Sequence, residues 1–197
     1  MTALHDLTLY LVRHGECRHN VEARVAGQSD SPLTARGIEH ARANGRALKQ
    51  IEPDLANFQF ISSPTHRTAA TMELAREAAG LTRDDYIADR RLMELDTGDN
   101  TFRVWAEVEA EMKADPAYID RWRYAHPGGE SLADLHGRIG KFLPALTGNS
   151  VIVTHSGPMR MIRAHYLGLA PQAVLDYKPL HAGILRLSAG VETYFGE

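Results

Sequence analysis

Leu7-Thr8-Leu9-Tyr10-Leu11-Val12 runs directly into Arg13-His14-Gly15-Glu16. The first six residues form a short, mostly apolar run bounded by a polar turn, the pattern of a strand buried on both faces. A strand that stops at a cation, an imidazole and a glycine is a poor packing unit. It is a good mount for a nucleophile beside an anion clamp at the carboxyl edge of a sheet, where open α/β folds bind their ligands. The arrangement recurs far along the chain. Ser150-Val151-Ile152-Val153-Thr154 is a second β-branched run, and it ends in His155-Ser156-Gly157. Two strands, each closed by a histidine and a glycine, make a constellation.

Between and beyond these runs, strand and helix patterns alternate. Thr34 opens a helical stretch to about Gln50, with Ile38, Ala41, Leu48 and Ile51 on one face. Residues 58–61 read as a short strand. Ser63-Pro64 reads as an N-cap with proline at the first helical position, opening a helix that stops at Gly80. Tyr86 to Leu92 holds a short edge strand. Ser131 and Asp134 form a capping-box variant ahead of a helix carrying Leu132, Leu135, Ile139, Phe142 and Leu146. Pro158 starts another helix, which stops near Gly168, and residues 183–188 and 191–195 form a hairpin around Ala189-Gly190. This alternation predicts an α/β fold: a three-layer α/β/α arrangement with a mainly parallel central sheet. Residues 96–127 break the pattern. They hold both tryptophans, Trp105 and Trp122, many charges and no clear strand, and read as a small helical lid excursion.

The bulk numbers fit one globular domain over residues 1–197. Apolar residues make up 44% and charged residues 24%, ordinary values for such a domain. No run is long enough to span a bilayer, which argues against a membrane partner. Met1-Thr2-Ala3-Leu4-His5-Asp6 lacks the basic start and apolar core of a secretory signal, so the expected location is cytoplasmic. A net charge of -3 argues against a nucleic-acid partner. The single cysteine, Cys17, excludes an internal disulfide and fits a reducing compartment. Its closeness to His14 raises a catalytic thiol, but its place in the turn points it to the flank of the loop. No His-Glu-x-x-His or paired Cys–His spacing occurs, so neither a metal site nor a cofactor is expected.

Taken in order, the motifs resemble the histidine phosphatase superfamily, with its phosphoglycerate mutase-like fold. Leu11-Val12-Arg13-His14-Gly15-Glu16 with Asn20 is similar to its signature. Pro32-Leu33-Thr34 with Gly37, the turn from Ser62 to Thr71, Leu92-Met93-Glu94 with Gly98, and Pro127-Gly128-Gly129-Glu130-Ser131 follow. Val153-Thr154-His155-Ser156-Gly157 completes the set. The resemblance implies phosphoryl transfer from a small-molecule phosphate monoester, without a cofactor, and a phosphohistidine intermediate on His14.

The chemistry agrees with these residue types. Phosphoryl transfer needs an in-line nucleophile, positive charge on the equatorial oxygens and a proton for the leaving group. A neutral imidazole attacks phosphorus without a separate base, which suits His14. Arg13 and Arg67 are catalytic and substrate-binding candidates for gripping the non-bridging oxygens. The resemblance makes His155 a second catalytic phosphate ligand. Backbone N–H groups at Ser156 and Gly157 add to it, and Gly27 and Asn20 join the substrate-binding set, although Asn20 also suits a helix cap. Glu94 is the candidate general acid and later base, with Asp96 and Asp99 as rivals. Ser156 lacks the Gly-x-Ser-x-Gly elbow of a serine nucleophile. Glu16 reads as structural or orienting.

The expected function is a phosphomonoesterase of the histidine acid phosphatase type. Two alternatives stand beside it. One is a mutase of the same fold. The resemblance implies a tyrosine at Thr97 and a lysine near Trp105 in such relatives, and both are missing here. The other is a non-catalytic module that binds phospho-ligands, which would be expected to have lost His14, His155 or Glu94. The substrate and the oligomeric state stay open. So does the facing of Phe102, Trp105, Arg121, Trp122, Arg123 and His126 along the excursion, and whether His66 or His181 reaches the pocket.

Overall fold

The computed structural model describes residues 4–196. The part of the amino-terminal reading that falls on Met1–Ala3 lies outside them. In chain order the elements are β1 (Leu9–Arg13), α1 (Arg18–Val21), α2 (Ala35–Ile51), β2 (Gln59–Ser62), α3 (His66–Ala79) and β3 (Ile87–Ala88). They continue with α4 (Trp105–Ala114), α5 (Leu132–Phe142), β4 (Ser150–Thr154), α6 (Ser156–Leu167), α7 (Pro171–Asp176), β5 (Ile184–Ser188) and β6 (Val191–Phe195). The six strands make one sheet in the order β3-β2-β4-β1-β5-β6. Pairing is parallel from β3 through β1 and antiparallel for β1–β5 and β5–β6. The sheet is therefore mainly parallel, and helices cover both of its faces.

The period-2 geometry of β1 and β4 explains their apolar runs. Leu9, Leu11 and Ile152 enter one core with Leu135, Ile139, Phe142, Met159 and Ile162 of α5 and α6. Tyr10, Val12, Val151 and Val153 enter the other, with Leu48 of α2 and Met72 and Ala79 of α3. A strand buried on both sides needs no polar alternation. The excursion packs Val108 and Met112 against Val25 of the loop after α1. Its base is pinned, because Asp99 N–H donates to Pro127 O at 2.9 Å and Glu130 N–H to Asp96 O at 2.8 Å.

Several boundaries differ from the sequence reading, each for a local reason. Ser63 does not cap α3. Its N–H continues the sheet ladder by donating to Val153 O, so the chain stays extended through Pro64 and Thr65 takes the N-cap position. The helix still ends at Gly80, which adopts φ 81°. Helix α6 starts at Ser156, two residues before Pro158, with His155 at the N-cap. Proline is tolerated anywhere in the first turn, where its missing N–H costs no helical bond. The edge strand in 86–92 shrinks to Ile87–Ala88, because Arg90–Leu92 turn into a 3₁₀ helix. The Ser131–Asp134 capping box forms as read, but α5 ends at Phe142, and Leu146 is buried beyond it. Helix α7 opens on Pro171 at its first position, a start signal that the sequence reading left unused.

Candidate active site

Register brings the two terminal histidines together. β1 and β4 are parallel neighbours with Arg13 opposite Thr154, and His14 N–H donates to Thr154 O at 2.9 Å. The two imidazole rings lie 5.2 Å apart, edge to face. Below them the loop after β1 lies close against α2. A Cβ on Gly15 would collide with the Gly37 carbonyl, so only glycine fits there. Glu16 serves this contact: it accepts from the Thr34 hydroxyl at 2.8 Å, while Thr34 caps α2 by accepting from Gly37 N–H.

Hydrogen bonds fix the protonation of both rings. Nδ1 of His14 donates to Gly15 O at 2.8 Å, and a carbonyl can only accept. The neutral ring therefore carries its lone pair on Nε2. Burial, then Arg67, Arg13 and His181, hold the His14 pKa well below the ordinary 6.5, so the ring stays neutral near pH 7. His155 has the opposite tautomer. Its Nδ1 accepts from Arg67 Nη2 at 3.1 Å, which leaves Nε2–H to donate to Ser63 Oγ at 2.9 Å. Burial and then Arg67 also keep His155 well below its ordinary value.

The arginines are held from behind. Arg13 Nη1 donates to Pro179 O at 2.9 Å. Arg67 is fully buried and donates to Ser29 O, to Gly27 O at 2.9 Å and to His155. Glu94 is fixed across the cleft by the start of α6. Its Oε1 accepts from Gly157 N–H at 3.0 Å, and a Cβ on Gly157 would occupy the place of that oxygen. The N-terminus of α6 favours negative charge there.

These groups share one cleft of about 440 Å³, lined among others by Arg13, His14, Asn20, Gly27, Arg67, Glu94, Ser156 and Gly157. His155 stands behind this lining, in contact with His14 and Arg67. Asn20 uses its Oδ1 to accept from the Cys17 N–H and thiol, which leaves its amide nitrogen for a ligand. The same contact buries Cys17 on the flank of the loop. Asp96 and Asp99 do not line the cleft; Asp96 instead accepts from Gly98 N–H. From the excursion, Thr97, Trp105 and His126 form a wall. Phe102 is largely exposed, Trp122 packs on the main core, and Arg123 pairs with Asp120. His66 is exposed outside the cleft, where its N–H donates to Asp30. His181 backs His14, donating from Nδ1 to the His14 carbonyl at 2.7 Å.

Among the residues of this site that escaped the sequence reading, three polar ones stand out beside Arg24, which lines the cleft and donates to Phe102 O. His19 and Arg160 line the cleft. Arg138 fastens the loop that carries Glu94: it donates to the carbonyls of Arg91, Met93 and Glu94 and pairs with Glu130 at 2.7 Å. Arg160 was legible in principle, one turn after Ser156 on the same helical face. Arg138 was not, because carbonyl partners leave no mark in sequence. Among the described residues, no group of three or more His, Cys, Asp or Glu side chains is placed to hold a metal ion. None of the described helices is long and apolar enough to cross a membrane.

The neutral histidines predict an acid-sensitive fold. Burial holds His181 at about 4, and His14 and His155 shift in the same direction. The unfolded chain then binds more protons than the native one once the pH drops below about 6.5, so the stability present above that value is progressively lost toward the folded values. Melting temperature should fall between about pH 6.5 and 5, a window above most carboxylate titration. A flat or rising profile across that window would contradict neutral burial of the three rings.

The cleft at the carboxyl edge of the parallel strands thus gathers two imidazoles, the guanidiniums of Arg13 and Arg67 and one anchored carboxyl. Comparison with known proteins places it. The model of the histidine phosphatase superfamily (branch 1) matches residues 9–193, and this chain belongs to that family. A probable phosphoglycerate mutase GpmB of Proteus mirabilis (strain HI4320) is 36% identical over 183 residues, 92% of this chain and 80% of that protein. The protein of the same name from Salmonella paratyphi C (strain RKS4594) is 38% identical over 135 residues. The match spans 68% of this chain and 60% of that one. Among solved structures, the alpha-ribazole phosphatase of Shigella flexneri superimposes with a TM-score of 0.77 at 25% identity, covering 96% of this chain and 95% of that one.

Proposed function

We propose that this chain hydrolyses small phosphomonoesters through a phosphohistidine on His14, with Glu94 as general acid and then base, and without a metal ion. The observation that carries this reading is the His14 tautomer. Its Nε2 lone pair is fixed by the Nδ1–Gly15 bond, in a cleft where Arg13 and Arg67 supply positive charge and Glu94 is anchored opposite. In the first step Nε2 forms the N–P bond as the ester P–O bond breaks, and the Glu94 proton passes to the departing alcohol oxygen. In the second step a water oxygen forms the new P–O bond, the N–P bond breaks, and Glu94 takes the proton released by water. Arg13 and Arg67 stabilise charge that a metal ion neutralises in kinases, and His155 acts through the Arg67 guanidinium that it holds.

Two kinds of relative support two readings. The Shigella protein is named a phosphatase, and the curated relatives are named probable mutases. A mutase must hold its substrate while it reorients and keep water from the phosphohistidine. At the two positions where the resemblance implies a tyrosine and a lysine, this cleft has Thr97, bonded to Thr101 at 2.9 Å, and the half-exposed ring of Trp105. Neither supplies a cation, and this favours hydrolysis.

The role of Glu94 is tested by leaving groups. Glu94→Gln should lower kcat strongly, by about 10²–10⁴-fold, on alkyl phosphates, whose alkoxide needs a proton. It should lower the phosphorylation step much less on 4-nitrophenyl phosphate. Equal losses of single-turnover phosphorylation rate on both substrates would remove Glu94 from the acid role.

A further inference from the structure

Arg160 is a cation for which neither the fold nor the proposed chemistry accounts. It sits on α6 and lines the cleft; its buried Nε has no hydrogen-bond partner, as is also true of Arg13 and Arg67. Among the described residues, its guanidinium makes no hydrogen bond or ion pair. The other arginines that line the cleft are tied to carbonyls: Arg13 to Pro179, Arg24 to Phe102, and Arg67 to Ser29 and Gly27. A half-buried guanidinium that faces a cleft without a protein partner is free to pair with an anionic group of a ligand.

Its position gives the side of the substrate it addresses. Arg160 lies three residues after Gly157, whose N–H holds the Glu94 carboxylate, so both sit on one helical face. Among charged groups, Glu94 acts most strongly on Arg160, and Arg121 opposes it. A proton donor marks the leaving-group side of the phosphorus.

We infer that Arg160 is a specificity-determining residue that binds a second anionic group, a carboxylate or a second phosphate, on the alcohol portion of the substrate. This rests on the proposed reading of His14 and Glu94 and narrows its substrate class. Trp105 and His126 wall the same cleft and limit the size of that portion.

Three probes with a three-carbon skeleton separate the possibilities: glycerol 3-phosphate, 3-phosphoglycerate and propane-1,3-diol bisphosphate. The intact protein should favour at least one anionic probe over glycerol 3-phosphate in kcat/KM by roughly 10- to 100-fold, the scale of a charge-assisted pair. Whichever anionic probe is favoured identifies the second group. Arg160→Gln should collapse that ratio toward one, and Arg160→Lys should restore part of it. A merely structural arginine would lower all three probes together and leave the ratio intact. The same ratio is read as binding affinity in the unreactive His14→Asn protein, so it decides the matter even where no probe turns over. Absence of turnover with the ratio preserved and Arg160-dependent would overturn the hydrolase reading alone. A ratio near one in the intact protein, or a high ratio that survives Arg160→Gln, would overturn this inference.

Discussion

His14→Ala should abolish phosphomonoester turnover, with a loss of about 10⁴-fold or more in kcat. The expectation follows from the local geometry. The ring is the nucleophile in the proposed mechanism, and no neighbour can replace it. His155 has its Nδ1 lone pair committed to Arg67 and its Nε2–H to Ser63, and His181 points its Nδ1 at the His14 carbonyl. The substitution removes a buried side chain that, among the described residues, makes its only polar bond to its own neighbour, Gly15. The His14 backbone bonds to Thr154 and His181 remain, so the sheet edge should persist. Circular dichroism and melting should therefore stay close to the parent while activity vanishes. A variant that kept a tenth of parental turnover would remove His14 from the nucleophilic role.

The second large effect is expected at Arg67. Loss of one preorganised donor to a developing oxyanion costs about 2.7–4 kcal/mol, or 10²–10³-fold in kcat. Arg67→Ala should reach or exceed that range. Its guanidinium also orders the chain at Gly27 and Ser29 and sets the tautomer of His155. Arg67→Lys should recover little, because one ammonium cannot span three divergent acceptors. The comparison is made by steady-state kinetics on a single aryl phosphate, with melting temperature as the control for folding. A loss under tenfold in Arg67→Ala would mean that transition-state charge is stabilised elsewhere.

Much of this site could be read from sequence because its parts sit at strand ends. Arg13-His14-Gly15 and His155-Ser156-Gly157 follow unmistakable buried strands, and parallel register then places them side by side. Helix limits at Thr34, Gly80 and Gly168 were legible because capping chemistry is local. The starts of α3 and α6 were not. Ser63 and Ser156 are each adjacent to a strand end, and tertiary bonds, not local propensity, decide where the helix takes over. The excursion was legible as an interruption, but not the facing of its side chains. Trp105 and His126 reach the cleft while Trp122 packs on the main core, a difference that tertiary packing decides and local pattern does not show. Arg138 works through backbone carbonyls, which every residue has, so no spacing could have revealed it.

The central claim is that the phosphoryl group passes from substrate to His14 and then to water. A rapid-quench experiment follows it directly. Protein mixed with phosphorus-labelled 3-phosphoglycerate, with and without a catalytic amount of 2,3-bisphosphoglycerate, is quenched in alkali, digested and mapped by mass spectrometry, and parallel samples are chased with unlabelled substrate. The account predicts a label on His14 that is stable to alkali and lost in acid, and a chase that sends it into inorganic phosphate with little 2-phosphoglycerate formed. A label on another residue, or one that moves into 2-phosphoglycerate faster than phosphate is released, would contradict it.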